Sequence, residues 1–218
     1  MSLARRSLTI FLALCLLPAC DLIHSGSKTI LLSERELAAA QQVKADATPL
    51  ERVLAHSIEQ TTKTSSYDAS YVKLDYPNGD LPIERGVCAD VVVRAFRQGG
   101  IDLQKELHED MEKNFAKYPQ KWGAKGTDKN IDHRRVPNLM TWFERQGKSL
   151  PLSPEAKDYL PGDVVAWEIV NGHFHIGIVS KIKVKETNRY AIVHNIGSGA
   201  MLEDVLFEWK VVGHYRYF

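Results

Sequence analysis

Cys88, His175 and His194 are the residues of this sequence whose types and spacing are best suited to nucleophilic catalysis. Cys88 stands where a loop rich in proline and glycine gives way to an amphipathic helix. Unsatisfied backbone N–H groups and the helix dipole at such a position favour the thiolate, which is the nucleophilic form of cysteine. A nucleophile of this kind needs a base within hydrogen-bond reach and a third group that orients the base.

Two consecutive predicted strands contain candidates for the base and its orienting group. In "GHFHIGIVS" the alternation of a strand puts His173, His175 and Gly177 on one face. His194, in "AIVHNIG", would stand across from His175 on the next strand. We expect His175 to be the base because Gly177, on the same face, leaves space beside the ring, although the residues alone leave His173 open as the base.

The segment "NIDHRRVPNL" supplies charged side chains for substrate binding. A guanidinium group matches the geometry of a carboxylate, so Arg134 and Arg135 are predicted to pair with carboxylates of the substrate. A solvated loop is the alternative interpretation of this segment. The remaining candidate substrate-binding residues are Asp90, Asp132, His133, His173 and Asn195.

The elements that must position these residues change character near Pro161. Before it, helical spacing predicts one or two N-terminal helices, a helix from Cys88 to Gly99, and two further helices, the last ending at Gly147. After it, segments rich in Val, Ile and Tyr with short turns predict a meandering, mostly antiparallel sheet. Helices followed by strands predict an α+β fold.

The bulk composition is that of an ordinary globular protein. Of the 218 residues, 44% are hydrophobic and 25% are charged, and the formal net charge is +1. The charges are scattered along the chain, so we expect no nucleic-acid partner.

The first 19 residues predict export from the cytoplasm. Two arginines precede an apolar run from Leu8 to Leu17 that is too short to span a bilayer. The sequence from Leu17 to Cys20 resembles the lipobox of bacterial lipoproteins, which implies cleavage before Cys20 and lipid attachment to its sulfur. Plain secretion is the alternative. The aspartate that follows Cys20 indicates retention at the inner membrane, so we expect a periplasmic protein anchored there.

These assignments divide the chain into a signal peptide (1–19), a tether (20–32) and a single domain (33–218). Removal of Cys15 with the signal and lipidation of Cys20 would leave Cys88 as the free thiol of the mature chain. A lone thiol in an oxidising compartment is either buried and inert or retained for a reaction.

The order of these motifs resembles that of the NlpC-type cysteine peptidases of the papain-like superfamily. A cysteine opens a helix in "GVCADVV", "PGDVVAW" leads the first core strand, and "HIGIV" carries a histidine. The usual Asp-Cys-Ser-Gly motif is replaced here by Val-Cys-Ala-Asp. Over nearly the whole mature chain, the motifs "GVCADVVVRAFR", "NIDHRRVPNL", "GHFHIGIVS" and "HNIGSG" look closer to a bacterial family known as domain of unknown function 1287.

The resemblance implies a papain-like fold in which Cys88 is the nucleophile, His175 the general base and acid, and His194 the orienting residue. It implies acyl-enzyme chemistry on peptidoglycan peptide amides, with no cofactor or metal. Three alternatives stay open: a non-catalytic cell-wall-binding module with Cys88 in its core, an acyl hydrolase or transferase acting on lipids, and a zinc site. The zinc site would be built from His133, His173, His175 and His194.

Overall fold

The structure is a computed structural model that describes residues 29–170 and 172–218. The predicted signal peptide, the lipid attachment site Cys20 and most of the predicted tether lie outside the described residues. The end of that tether is described and is packed: the Ile30 N–H donates to the Leu202 carbonyl at 2.8 Å. Ile30 and Leu32 also pack against a buried apolar cluster. Residues 29–32 therefore belong to the folded domain.

Five α-helices form in the described part of the chain. Their bounds are α1 (Glu34–Gln41), α2 (Pro49–Lys63), α3 (Cys88–Gln98), α4 (Leu103–Asn114) and α5 (Val136–Arg145). Reciprocal capping boxes begin α1 at Ser33 and α2 at Thr48, which satisfies backbone N–H groups that a helix start leaves open. None of the described helices is both long and apolar enough to cross a membrane.

The strands belong to two sheets. A short parallel pair consists of β1 (Ser66–Tyr67) and β2 (Arg85–Gly86). The main sheet contains β3 (Val164–Glu168), β4 (Phe174–Lys183), β5 (Tyr190–Asn195), β6 (Ala200–Glu203) and β7 (Lys210–Tyr215). Its order is β6-β5-β4-β3-β7, with antiparallel pairing throughout.

The predicted α+β class is confirmed, and the predicted meander holds from β3 to β6. The chain then crosses back, so that β7 pairs with β3 rather than with β6. The short strand β6 was not resolved from the sequence, because it follows β5 after a turn of only a few residues. It matters for the site because it ends at Glu203.

Helix α3 is the central helix of the domain, and every residue from Cys88 to Phe96 is buried. The sequence predicts one apolar face, and Cys88, Val92 and Phe96 do pack into the main core beside the sheet. Val91 faces a second cluster formed with α2 and β5. A helix surrounded in this way has little freedom to move its first residue.

The main sheet is covered on both faces. Ile176 and Ile178 of β4 pack with α3, α4 and α5 on one face. Trp167 and Val179 pack on the other face, under the segment that contains Val205 and Leu206. His175 alternates with Ile176 along β4, so its side chain projects away from the helices.

Candidate active site

The carboxylate of Asp90 caps the start of α3 and thereby fixes the position of Cys88, the first residue of that helix. Val87, the residue before the helix, has no polar side chain to cap it, and Asp90 Oδ2 instead accepts the Val87 N–H at 2.7 Å. A Cβ at Gly86 would come within 3.0 Å of Asp90 Oδ2. Glycine at this position therefore gives the carboxylate room to approach the backbone without displacing Asp90.

Arg134 holds that carboxylate in place. Its Nε lies 3.0 Å from Asp90 Oδ1, and its other donors bind the carbonyls of Ser70 at 2.8 Å and Asp68 at 2.7 Å. The side chains of Arg134 and Asp90 are 2% and 4% exposed. A buried bidentate pair of this kind sets orientation, so Arg134 and Asp90 position the start of α3. Four of the five N–H groups of Arg134 are thereby occupied, so its principal observed role is to hold Asp90, and its predicted pairing with substrate carboxylates stays a prediction.

Burial dominates the chemistry of the thiol. Cys88 is 4% exposed. Burial raises the pKa of its thiol to about 12, even though backbone N–H groups of Ile176, Ala89 and Cys88 favour the thiolate. The effect of the helix N-terminus, which favours the thiolate, is therefore outweighed by burial. Any reaction of this thiol at neutral pH requires a base that removes its proton during attack.

Three buried side chains on the opposite face of the sheet form a continuous hydrogen-bonded relay. His175 Nε2 lies 2.9 Å from His194 Nδ1, and His194 Nε2 lies 3.0 Å from Glu203 Oε2. Their exposures are 2%, 0% and 0% respectively. Rings of Trp167 and Trp209 pack against His175 at centroid distances of 5.8 and 5.6 Å. A relay in so dry a site fixes the orientation of the His175 ring.

Gly177 makes the relay possible. A Cβ at this position would lie 2.7 Å from Ile192 Cγ2 and 3.1 Å from His194 Cβ. The space that the sequence analysis assigned to Gly177 is thus occupied by β5. The close approach of β5 brings His194 into reach of His175.

The backbone of β4 connects the relay to the thiol at the end of the sheet. In β4 the backbone groups of odd-numbered residues point toward β3, as the Val179 N–H does when it donates to the Asp163 carbonyl. Those of even-numbered residues point to the other neighbour, so the Ile176 N–H points toward β5. The registered pairing of β4 with β5 begins only at Ile178 and Val193. The Ile176 amide therefore lies beyond the paired region, where it faces the Cys88 sulfur. This amide belongs to the peptide bond that joins His175 to Ile176.

A cleft of about 460 Å³ opens beside Cys88. It contains both arginines of the "DHRR" segment, the predicted alternative base His173, and residues that the sequence did not single out. Its lining residues are Tyr67, Ala69, Val87, Cys88, Lys121, Trp122, Ile131, Arg134, Arg135, Val136, Pro137, Gly172, His173 and Phe174. No aspartate or glutamate occurs among them.

Three other candidate substrate-binding residues lie away from the cleft lining. Asp132 accepts the Asp128 N–H, and burial raises its pKa. His133 is 2% exposed, and burial together with Arg134 and Arg97 lowers its pKa to about 3. Each is placed to organise the fold around the site.

Asn195 is the third of these residues. Its Nδ2 donates to the Gly86 carbonyl at 2.9 Å and to the Ser66 carbonyl at 3.2 Å. It thereby ties the end of β5 to β1 and β2, the short strands beside Cys88.

The four histidines of the zinc alternative do not come together. His175 and His194 pair within the relay, while His173 lines the cleft and His133 is buried near Arg97 and Arg134. In residues 29–170 and 172–218, no three His, Cys, Asp or Glu side chains are arranged to hold a metal ion.

Neither Glu203 nor the cleft residues Tyr67, Lys121 and Trp122 were predicted from the sequence. The register of the β5–β6 hairpin would have indicated Glu203. In that register Glu203 pairs with Ile192, and Met201 pairs with His194, so the carboxylate is diagonally beside His194. No comparable pattern marks the other three. Trp122 adopts a left-handed backbone (φ 57°), which is uncommon for a bulky residue and holds the indole at the cleft.

The fold and the site define an α+β domain with a helix-start cysteine beside a buried histidine relay. Residues 54–217 match the family described as "Domain of unknown function (DUF1287)". The chain belongs to this family, which confirms the resemblance seen in the sequence. It is also similar to the "Uncharacterized protein YijF" of Escherichia coli (strain K12), with 57% identity over 160 residues that cover 73% of this chain and 78% of the relative.

Proposed function

We propose that the protein is a papain-like cysteine hydrolase in which Cys88 is the nucleophile and His175 is the general base. The observation that carries this proposal is the buried relay from Glu203 through His194 to His175, which ends one peptide bond from the amide that faces the thiol. A histidine held by a second polar group is what an activated cysteine requires.

In the proposed acylation step the Cys88 proton passes to Nδ1 of His175, since Nε2 of that ring is paired with His194. Because the ring projects from the face of the sheet opposite α3, this step requires the end of β4 that is not paired with β5 to turn the ring toward the thiol. The sulfur then forms a bond to the carbonyl carbon of an amide. As the C–N bond breaks, the imidazolium returns the proton to the departing amine. Because the resting thiol is neutral, proton removal and attack must be coupled, which gives the orientation of His175 particular importance.

In the deacylation step His175 takes a proton from water, and the resulting hydroxide attacks the thioester. The C–S bond breaks, the acid is released and Cys88 recovers its proton. The backbone N–H of Cys88 is the first oxyanion donor. Tyr67 is a candidate second donor, because it lines the same cleft and its hydroxyl can donate a hydrogen bond.

The substrate and the location rest on the resemblance to NlpC-type enzymes and on the N-terminal sequence. We propose peptide amide bonds of peptidoglycan as the substrate, and the periplasmic face of the inner membrane as the location, with a lipid anchor on Cys20. The Cys20→Ala variant should leave the membrane fraction. Intact mass spectrometry of the membrane-extracted wild type should show a diacylglycerol adduct; an unmodified Cys20 would contradict the anchor.

The reactivity of Cys88 tests the catalytic pair. Iodoacetamide alkylation of residues 29–218 should become independent of pH well below the free-thiol pKa of about 8.5 in the wild type. In His175→Ala the rate should instead rise about tenfold per pH unit through pH 9, because the pKa of the isolated thiol is high. Identical profiles in the two proteins would contradict the pairing.

A second candidate function is a non-catalytic module that binds cell-wall peptide, and the near-complete burial of Cys88 favours it. Muropeptide digestion separates the two. The hydrolase should release new amine termini that Cys88→Ala does not release, whereas a binding module would retain peptide equally well in both proteins. Thermal unfolding of Cys88→Ala shows whether the thiol matters only for packing.

A further inference from the structure

Two cations on the cleft are held over aromatic rings. Lys121 Nζ lies 4.9 Å from the centroid of the Phe174 ring, and Arg135 Cζ lies 4.6 Å from the centroid of the Trp122 ring. All four residues line the same cleft as Cys88. Cation–π contacts restrict where a long side chain carries its charge, so these charges are positioned before any ligand enters.

The two cations are not neutralised in the way that Arg134 is. Arg134 forms close hydrogen bonds with the buried carboxylate of Asp90. Arg135 Nη1 lies 3.8 Å from Asp132 Oδ1, which is too long for a hydrogen bond. Within the described ranges, neither Arg135 nor Lys121 donates a hydrogen bond to another side chain, and no acidic residue lines the cleft.

We propose that Lys121 and Arg135 make this cleft selective for a ligand that carries a free carboxylate close to the group attacked by Cys88. The ligand class is an acidic peptide, bound through bidentate pairing of its carboxylate with Arg135 and a point contact with Lys121. This inference deepens the proposed function and rests on it. The apolar and aromatic remainder of the cleft would receive the uncharged part of the peptide.

The charge preference can be measured with a pair of alkylating reagents. Iodoacetate and iodoacetamide both form an S–CH₂ bond to the thiolate with loss of iodide, and they differ in carrying a carboxylate or a neutral amide. The quantity to measure is the rate of Cys88 alkylation by iodoacetate divided by the rate with iodoacetamide. Dividing it by the same ratio for free cysteine isolates the effect of the cleft. We expect a normalised ratio of about ten at low ionic strength, falling as salt is added.

The variants Lys121→Met and Arg135→Met should each lower this ratio, and the double variant should bring it close to one. Lys125→Met is the matched control, since it removes an exposed charge from the same loop but not from the cleft lining, and it should leave the ratio unchanged. A wild-type ratio near one, or a ratio that the double variant does not change, overturns the inference while leaving the reactivity of Cys88 intact.

A binding measurement separates this inference from the proposed function if the native thiol resists both reagents. In Cys88→Ala, calorimetry with N-acetyl-alanyl-glutamate and with its diamide should show tighter binding of the diacid. The preference should disappear in the variant that also carries Lys121→Met and Arg135→Met. Equal affinity for the two peptides, or no binding of either, overturns the inference; a retained preference supports it even where alkylation has argued against the hydrolase.

Discussion

Two buried histidine–carboxylate pairs occur in the main sheet, and they differ in what completes them. His194 contacts Glu203 on one side and His175 on the other, so this pair continues to a second imidazole. His214 meets Asp163 at 2.8 Å, and Arg216 closes that pair with two contacts of 2.7 Å to the same carboxylate. We call the first arrangement the open pair, because it continues to His175, and the second the closed pair, because Arg216 completes it.

The closed pair of His214 and Asp163 has the features of a structural site, because every charged group in it has a partner within the pair. Burial alone would raise the pKa of Asp163, but hydrogen bonds from His214, Arg216 and the Leu160 amide together hold it below its usual range. Tyr159 stacks on His214 at a centroid distance of 4.2 Å. A histidine beside a carboxylate is therefore not by itself a sign of catalysis. The group on the other side of the histidine distinguishes a structural pair from a candidate catalytic one.

The largest expected difference between the two pairs is in reactivity. His175→Ala should lower the rate of Cys88 alkylation at pH 7 by about a thousandfold, because the thiol loses its base. His214→Ala should leave the rate per folded molecule unchanged. The rates are followed by mass spectrometry below the unfolding temperature of each variant, and a comparable loss in His214→Ala would mean that packing rather than proton transfer sets the reactivity.

The closed pair should show its larger effect in stability. Asp163→Ala should lower the free energy of unfolding by about 3 kcal/mol, because it leaves His214 buried without its carboxylate and Arg216 unpaired. Glu168→Ala is the control: its pair with Lys210 is exposed, and its loss should cost less than about 0.5 kcal/mol. Urea denaturation measures both, and equal costs would contradict the structural assignment.

Glu203→Gln, in the open pair of His194 and Glu203, should lower the rate of Cys88 alkylation less than His175→Ala does. The amide keeps the shape of the side chain but replaces one acceptor oxygen by an NH₂ group and thereby weakens the contact that orients His194, so alkylation of Cys88 should slow by about tenfold to a hundredfold. The exposed Glu208→Gln should not change the rate. A purely structural role for Glu203 predicts lowered stability with a pH profile of alkylation like that of the wild type, which would remove Glu203 from the proposed machinery.

How far the sequence predicted this site depends on whether a residue acts within one element or across several. The helix at Cys88 follows from local periodicity and is confirmed. The shared strand face of His173 and His175 is not: β4 begins at Phe174, and His173 precedes it at the cleft. The order of the sheet and the contact of His194 with His175 depend on strand pairing. The sequence analysis placed that pair correctly because β4 and β5 are consecutive.

The features that the sequence did not predict have the same physical origin. The two arginines looked alike in the sequence, and both line the cleft, but the fold shows that Arg134 is held by Asp68, Ser70 and Asp90 while Arg135, among the residues that the structure describes, has no carboxylate within hydrogen-bond distance. Burial likewise reverses the expected effect on the Cys88 pKa, and burial is a property of the whole packed domain. Local patterns identify which residues can react, and distant packing decides which of them are available.

The smallest of the predicted differences is in the response to acid. Asp163 has a folded-state pKa below its usual value of 3.8, so its contribution to stability is present above about pH 4 and is lost as pH falls through the lower folded value. In Asp163→Asn this loss cannot occur, because the amide does not titrate. The wild type should therefore lose about 1 kcal/mol more of its unfolding free energy than Asp163→Asn between pH 5 and pH 2.5. Parallel pH curves from urea denaturation would mean that Arg216 and His214 do not stabilise the Asp163 carboxylate relative to the unfolded chain, and the comparison between a closed and an open pair would then lose its electrostatic basis.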